Sequence, residues 1–286
     1  MDRYTHAGVE IAYQARGAGR ALLFLHNGGA SSTIWRHQTA ALSATYRTVA
    51  VDLPGFGRSP RPAGGIDLRG QVELLGALVD DLDLAPVLLV GNCMGSNIAA
   101  GIAQARRDQV AGLVLVNPLT AATFSAGWLG PLHTMARRAP RSTRTLRRLS
   151  RKVTPPGLAA RAALRFQLGR RGRALGLQRD PELLAANRRR DQLPALVDVL
   201  DDMGAYGGLD GGLQDAAPPV CTIWGADNRV LSPTAGRALD ERLAPERAEE
   251  LAGCGHFPML EDPDAVTAII ADFAAAHLPA PVKEGA

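Results

Sequence analysis

Apolar residues along the chain fall into short unbroken runs, and between the runs they recur at helical spacing. Val9 to Ala15, after a turn at Ala7-Gly8, predicts one arm of an N-terminal hairpin. Ala21 to His26, Thr48 to Asp52, Val87 to Val90, Val110 to Val116 and Val220 to Trp224 predict buried strands, and Ala248 to Leu251 a short last one. Helices are predicted through Trp35 to Leu42 and over Leu68 to Leu82, where Val72, Leu75, Leu78, Val79 and Leu82 share a side. Ile98 and Ile102 mark a third helix ending near Arg106-Arg107, and Ser232-Pro233 opens a fourth that runs to about Leu243. Asp262 as an N-cap, Pro263 in the first turn and the stripe Val266, Ile269, Ile270, Phe273 predict a C-terminal helix, with the tail after Pro279 frayed. Strands alternating with helices imply βαβ units and a parallel sheet, whose ligands bind beyond the carboxyl ends of the strands.

The rhythm stops at Leu119 and resumes after about Asp215. Residues 1–118 and 216–286 therefore read as one core and residues 119–215 as a helical insertion. Charge supports the division. Between Thr120 and Ala195 stand 17 arginine and lysine residues against 3 acidic ones, a net of +14 in a chain whose total is +4. An arginine-rich helical cap over a mildly acidic core is the expectation. Asp198, Asp201 and Asp202, near the end of the cap, read as a solvated face.

Other features narrow the classes of function. Three cysteines (Cys93, Cys221 and Cys254) with no C-x-x-C spacing give neither a disulfide framework nor a zinc pattern, so reduced thiols and a cytoplasmic location are expected. The N-terminus has no apolar signal core. Leu84 to Ala105 is uncharged and long enough for a bilayer, but Pro86, Asn92, Asn97 and Gln104 interrupt it, which favours a strand, turn and helix. Gly17-Ala18-Gly19 precedes a strand instead of following one, so no dinucleotide cofactor is implied, and no nucleic-acid motif accompanies the arginines.

The candidate chemistry begins where Val87 to Val90 leads into Gly91-Asn92-Cys93-Met94-Gly95 and a helix follows at once. A sharp strand-to-helix turn strains its central residue and pushes that side chain outward, while glycines two positions either side avoid collisions. Three further motifs accompany it: Leu25-His26-Asn27-Gly28-Gly29, Asp52-Leu53-Pro54-Gly55-Phe56-Gly57-Arg58-Ser59 and Gly253-Cys254-Gly255-His256-Phe257-Pro258. On these marks the chain resembles the α/β-hydrolase-fold superfamily over nearly its whole length outside the cap, in a variant with a cysteine nucleophile. The resemblance implies a mostly parallel eight-stranded sheet flanked by helices, with an inserted helical cap. The family's order of nucleophile, acid and histidine falls on Cys93, Asp227 and His256. Alone, Asp227 would read as a turn aspartate and Cys93 as a buried structural thiol.

In such a triad a thiolate attacks an acyl carbon, imidazole takes the thiol proton, and the carboxylate orients the imidazole. A nearby imidazolium lowers the thiol pKa, so a resting ion pair is expected. The resemblance places the oxyanion donors on the backbone N–H groups of Gly28 and Met94. Asn27 stands where the family usually has glycine, which leaves an added role for its amide open; His26 reads as a loop-holding residue. Cysteine in place of serine favours thioester processing and acyl transfer over plain ester hydrolysis, and argues against branches that need aspartate there, the dehalogenases and epoxide hydrolases. Trp128, with Phe124, Leu132, Met135 and Phe166, is a candidate lining for an acyl pocket, ordinary cap packing being the alternative. The basic cap suits a carrier of the acyl group such as coenzyme A or an acyl carrier protein. An acyltransferase or cyclase in which water is not the acceptor, and a non-catalytic ligand-binding member of the same fold, stand as the alternatives.

Overall fold

Strands form at every predicted apolar run, with the expected hairpin partner at the N-terminus. The computed structural model describes residues 1–131, 134, 156–213 and 217–278. In chain order they are β1 (Asp2–His6), β2 (Val9–Arg16), β3 (Ala21–Leu25), α1 (Arg36–Leu42), β4 (Arg47–Asp52), α2 (Leu68–Asp81), β5 (Val87–Asn92), α3 (Met94–Ala105) and β6 (Val110–Val116). Then come α4 (Ala121–Ser125), α5 (Gly157–Gln167), α6 (Arg170–Ala174), α7 (Pro181–Asn187) and α8 (Gln192–Asp201). The chain returns to the sheet with β7 (Val220–Gly225), followed by α9 (Pro233–Leu243), β8 (Arg247–Leu251), α10 (Pro258–Glu261) and α11 (Pro263–His277).

The eight strands make one sheet in the order β1-β2-β4-β3-β5-β6-β7-β8. β1 and β2 run antiparallel to their neighbours, and the other pairs are parallel. The two central strands are apolar on both faces because both faces are covered. Leu23 and Leu25 of β3 join Leu75, Leu78, Ile98, Ile102 and Leu239 on the side of α2, α3 and α9. Leu22 and Phe24 point the other way, toward Trp35, Leu42, Ile269, Ile270 and Phe273 on the side of α1 and α11. Each such side chain withdrawn from water contributes roughly 1.5–3 kcal/mol.

Between β6 and β7 the described residues are helical and contain no strand. α8 sits on the loops at the carboxyl ends of the strands. Gln192 Nε2 donates to the Gly29 carbonyl at 2.9 Å, and Arg61 pairs with both carboxylate oxygens of Asp198 at 2.7 and 2.9 Å. Asp202 accepts the Leu68 N–H at 2.7 Å while Asp67 accepts that of Gly70 at 2.8 Å, so two carboxylates satisfy the first turn of α2. The expected solvated face is thus partly an attachment: Asp198 and Asp202 tie α8 to Arg61 and to the start of α2.

Leu84 to Ala105 resolves into β5, a bend and α3, and no described helix is long and apolar enough to cross a membrane. All three cysteines are buried and free. Leu132, Met135, the return point at Asp215 and the tail after Pro279 lie outside the described residues.

Candidate active site

Cys93 stands between β5 and α3 with φ 56° and ψ −113°, a conformation that costs a non-glycine residue on the order of 1–3 kcal/mol. The surroundings hold it there. Its N–H donates to the Val116 carbonyl at 2.9 Å, and its carbonyl accepts the Ser96 N–H at 3.0 Å. Ser96 Oγ ties back to the Gly91 carbonyl at 2.8 Å. A methyl group on Gly91 would lie 2.3 Å from the Gly95 carbonyl oxygen, and one on Gly95 would lie 2.4 Å from that of Leu25. The two glycines therefore let the bend close onto itself and onto the end of β3.

Four asparagines stitch the strand ends to the loop that carries His256. Asn92 Nδ2 donates to Asn27 Oδ1 at 3.2 Å and to the His256 carbonyl at 3.3 Å, and Asn27 Nδ2 donates to the Gly28 carbonyl at 2.9 Å. The role left open for Asn27 is thus a link between the first turn and the residue before Cys93. Asn117 Nδ2 reaches the Gly255 and His256 carbonyls at 3.4 Å, and its Oδ1 accepts the Gly225 N–H at 3.0 Å. The fourth, Asn228, places Nδ2 3.2 Å from Nδ1 of His256.

Asp227 departs from expectation. Its Oδ2 accepts the backbone N–H of Arg170 at 2.9 Å and the Arg170 Nε–H at 3.0 Å. The turn after β7 explains the exchange. Asp227 N–H donates to the Cys254 carbonyl and Asn228 N–H to that of Gly225, and the side chain at 228 is the one that meets the ring.

A model of the alpha/beta hydrolase family matches residues 22–269. The chain belongs to that family. An uncharacterised protein of Mycobacterium tuberculosis is 26% identical over 306 residues, covering 98% of this chain and 82% of its own length. Haloalkane dehalogenase 2 of the same species is 34% identical over 130 residues, 45% of this chain and 42% of that protein. Among solved structures, an esterase of Thermogutta terrifontis superposes with a TM-score of 0.80 at 21% identity, covering 97% of this chain and 100% of the other. At that identity the likeness concerns the fold.

Within this alpha/beta hydrolase the electrostatics around the bend differ from the expected ion pair. Burial pushes the Cys93 thiol up to about 12, against a hydrogen bond from the Met94 N–H that lowers it. Burial also takes the His256 ring, 1% exposed, down to about 3. With no carboxylate at Nδ1 among the described residues to favour an imidazolium, both groups rest neutral at pH 7.

α8 lies against the first turn. A methyl group on Gly28 would lie 3.5 Å from Met94 Sδ and 3.2 Å from Leu196 Cδ1, so Gly28 meets both the other expected oxyanion residue and α8. Tyr206, fully buried, is pushed up by burial and by the charge of Asp202. Trp128 takes no part in this cluster. It is 72% exposed, its ring meeting Phe166 edge-on and the Arg229 guanidinium at 5.6 Å.

Sequence reasoning passed over Asn228, Asn92, Tyr206 and Glu261. Glu261, buried, accepts the backbone N–H groups of Gly169, Gly172, Gly255 and Phe257 at 2.8–3.2 Å and so binds the His256 loop to the start of α6. A local signal existed for Asn228 alone: its Oδ1 accepts from Val230 and Leu231, an Asx turn that such an asparagine can announce.

Proposed function

We propose that this chain cleaves or transfers an acyl group from a thioester or similarly activated ester through a covalent acyl-cysteine at Cys93. The observation that carries the reading is the strained backbone of Cys93 at the end of β5, with the Met94 N–H on its sulfur. An attacking sulfur there would leave the new oxyanion beside the N–H groups of Met94 and Gly28. The C–S bond forms as the carbonyl π pair moves to oxygen; collapse breaks the bond to the leaving group, which departs with the proton given up by the thiol, and water, an amine or another thiol then takes the acyl group and returns a proton to the Cys93 sulfur. A thiol that burial keeps protonated suits electrophilic donors over plain esters. The same thiol sets this chain apart from the dehalogenase named among its partial relatives.

The donor's carrier is read from the cap. Arg165, Arg173 and Arg229, with Ala162 and Phe166, line a groove of about 480 Å³ beside Trp128, which suits the phosphates of coenzyme A or an acidic carrier protein.

Intact-protein mass spectrometry with acyl-coenzyme A donors and with the corresponding p-nitrophenyl esters tests the assignment. The expected result is one acyl adduct, lost in Cys93→Ala together with turnover. Turnover that survives Cys93→Ala would overturn it. Asn228 in place of a carboxylate at the ring favours a second reading, a ligand-binding protein without turnover. Saturable binding of a donor with neither adduct nor product would establish that alternative.

A further inference from the structure

Which end of the Asn228 amide faces His256 decides where the imidazole keeps its proton. Asn228 Oδ1 accepts the N–H of Val230 at 3.0 Å and that of Leu231 at 3.2 Å. Turned over, the amide would set its NH2 group against two backbone donors and leave both without an acceptor. The NH2 end therefore points at the ring, 3.2 Å from Nδ1. An amide NH2 has hydrogens to give and no acceptor lone pair to offer. Nδ1 must then be the acceptor, and the single proton of the neutral ring lies on Nε2.

The titratable and charged groups around the ring are committed elsewhere. Glu261 accepts from Gly255 and Phe257, on either side of His256, and from Gly169 and Gly172. Asp227 is held by Arg170. Cys254 and Cys93 are thiols kept protonated by burial. Phe257 presents its ring to the imidazole edge-on at 5.7 Å. A second ring proton would put Nδ1–H against the amide hydrogens, with no carboxylate among the described residues positioned to receive it.

We infer that Asn228 is a positioning residue that holds His256 with its proton on Nε2, so that the imidazole meets the reacting groups as a hydrogen-bond donor and not as the base that ionises Cys93. A carboxylate at 228 would invert this. One oxygen would keep the Val230 and Leu231 N–H groups, the other would accept from Nδ1–H, and Nε2 would present a lone pair. The inference rests on the reading of Cys93 and His256 as the reacting pair, but its test needs no acyl donor. An absent acyl adduct would count against that reading and leave this one untouched.

The first measurement is on the unaltered chain. Ring 15N–1H spectra, with the His256 signal assigned by its loss in His256→Gln, should show the proton on Nε2 at neutral pH. A proton on Nδ1 overturns the inference. The second uses Asn228→Asp and iodoacetamide, which alkylates the Cys93 thiolate as iodide leaves and the thiol proton goes to base. The ring proton should move to Nδ1. Alkylation at pH 7 should rise at least about tenfold, the gain that one unit of thiol acidification produces, with a new limb in its pH profile where the imidazole titrates. An unmoved ring proton in a folded Asn228→Asp chain, or an unchanged rate, would equally overturn it. Should that variant not fold, the spectrum of the unaltered chain decides alone.

Discussion

Two buried imidazoles sit at the carboxyl edge of the sheet, and they differ in what their nitrogens have left to do. His26, in the turn after β3, is saturated by backbone. Its Nε2 accepts the Leu53 N–H at 2.9 Å and its Nδ1 donates to the Asn27 carbonyl at 2.7 Å. Asp52 completes the same knot, one oxygen on the Ser32 N–H at 2.7 Å and the other on that of Arg58 at 2.8 Å. Among the described residues, His256 has one nitrogen engaged, by Asn228. A ring with both nitrogens spent is a strut; a ring with one in hand can meet a substrate. Burial alone does not separate them, since it lowers the pKa of both.

The sharpest test of that contrast is to remove each ring. His26→Ala would leave the Leu53 N–H buried without an acceptor and open a cavity under the first two loops, so a loss of about 3–4 kcal/mol is expected. His256→Ala breaks one side-chain hydrogen bond and an edge-on ring contact but orphans no backbone group, and should cost no more than half as much. Urea unfolding followed by tryptophan fluorescence reads both. Equal losses would mean that His256 is as structural as His26.

Acid probes the same pair more gently. A histidine whose folded pKa lies below its unfolded value of about 6.5 binds fewer protons folded than unfolded in between, so its contribution is present above pH 6.5 and lost as pH falls toward the folded value. For His256, held down to about 3, the loss between pH 7 and pH 4.5 should be on the order of 2–3 kcal/mol. His26, shifted in the same direction, adds to the slope. His256→Gln should flatten the dependence over that window. A slope that the substitution leaves intact would show that the ring is not buried neutral.

Those two loops also mark how far the sequence could be read. The sheet was legible because its signal is local: an apolar run such as Val87 to Val90 can satisfy itself only when covered on both faces. The bend at Cys93 was legible for the same reason, since Gly91 and Gly95 are excluded volumes written into the chain. The partner of His256 was not. Asp227 and Asn228 are adjacent, both polar and both suited to a turn, and only the hydrogen bonds of that turn to Gly225 and Cys254 decide which one faces the ring. Residue type argued for the carboxylate; register turned it to Arg170. Asp198 and Asp202 failed as a solvated face for a related reason. Their partners, Arg61 and the Leu68 N–H, are more than a hundred residues away in sequence. Trp128 follows the converse rule. An aromatic residue in an arginine-rich segment finds a guanidinium at the surface as readily as an acyl chain below it.

The smallest effect concerns what covers the turn at Gly28. α8 is fastened by the fork of Arg61 on Asp198, whose side chains are 13% and 21% exposed, and by the Gln192 contact with Gly29. A paired geometry of that kind at the edge of solvent stabilises by about 1 kcal/mol. Asp198→Ala should therefore shift the urea midpoint only slightly. Because Leu196 of the same helix lies over Gly28, beside Met94 and Cys93, loosening α8 should still open the way to Cys93. Iodoacetamide labelling of Cys93 should speed up a few-fold, about the population change that such an energy produces. The His26 knot lies under different contacts and should keep its hydrogen-exchange protection at the Leu53 amide. Faster labelling with unchanged Leu53 exchange would locate the mobile boundary at α8. Loss of protection at Leu53 would instead make the cap and the first loops one cooperative unit, and the strut and the working ring would no longer be separable.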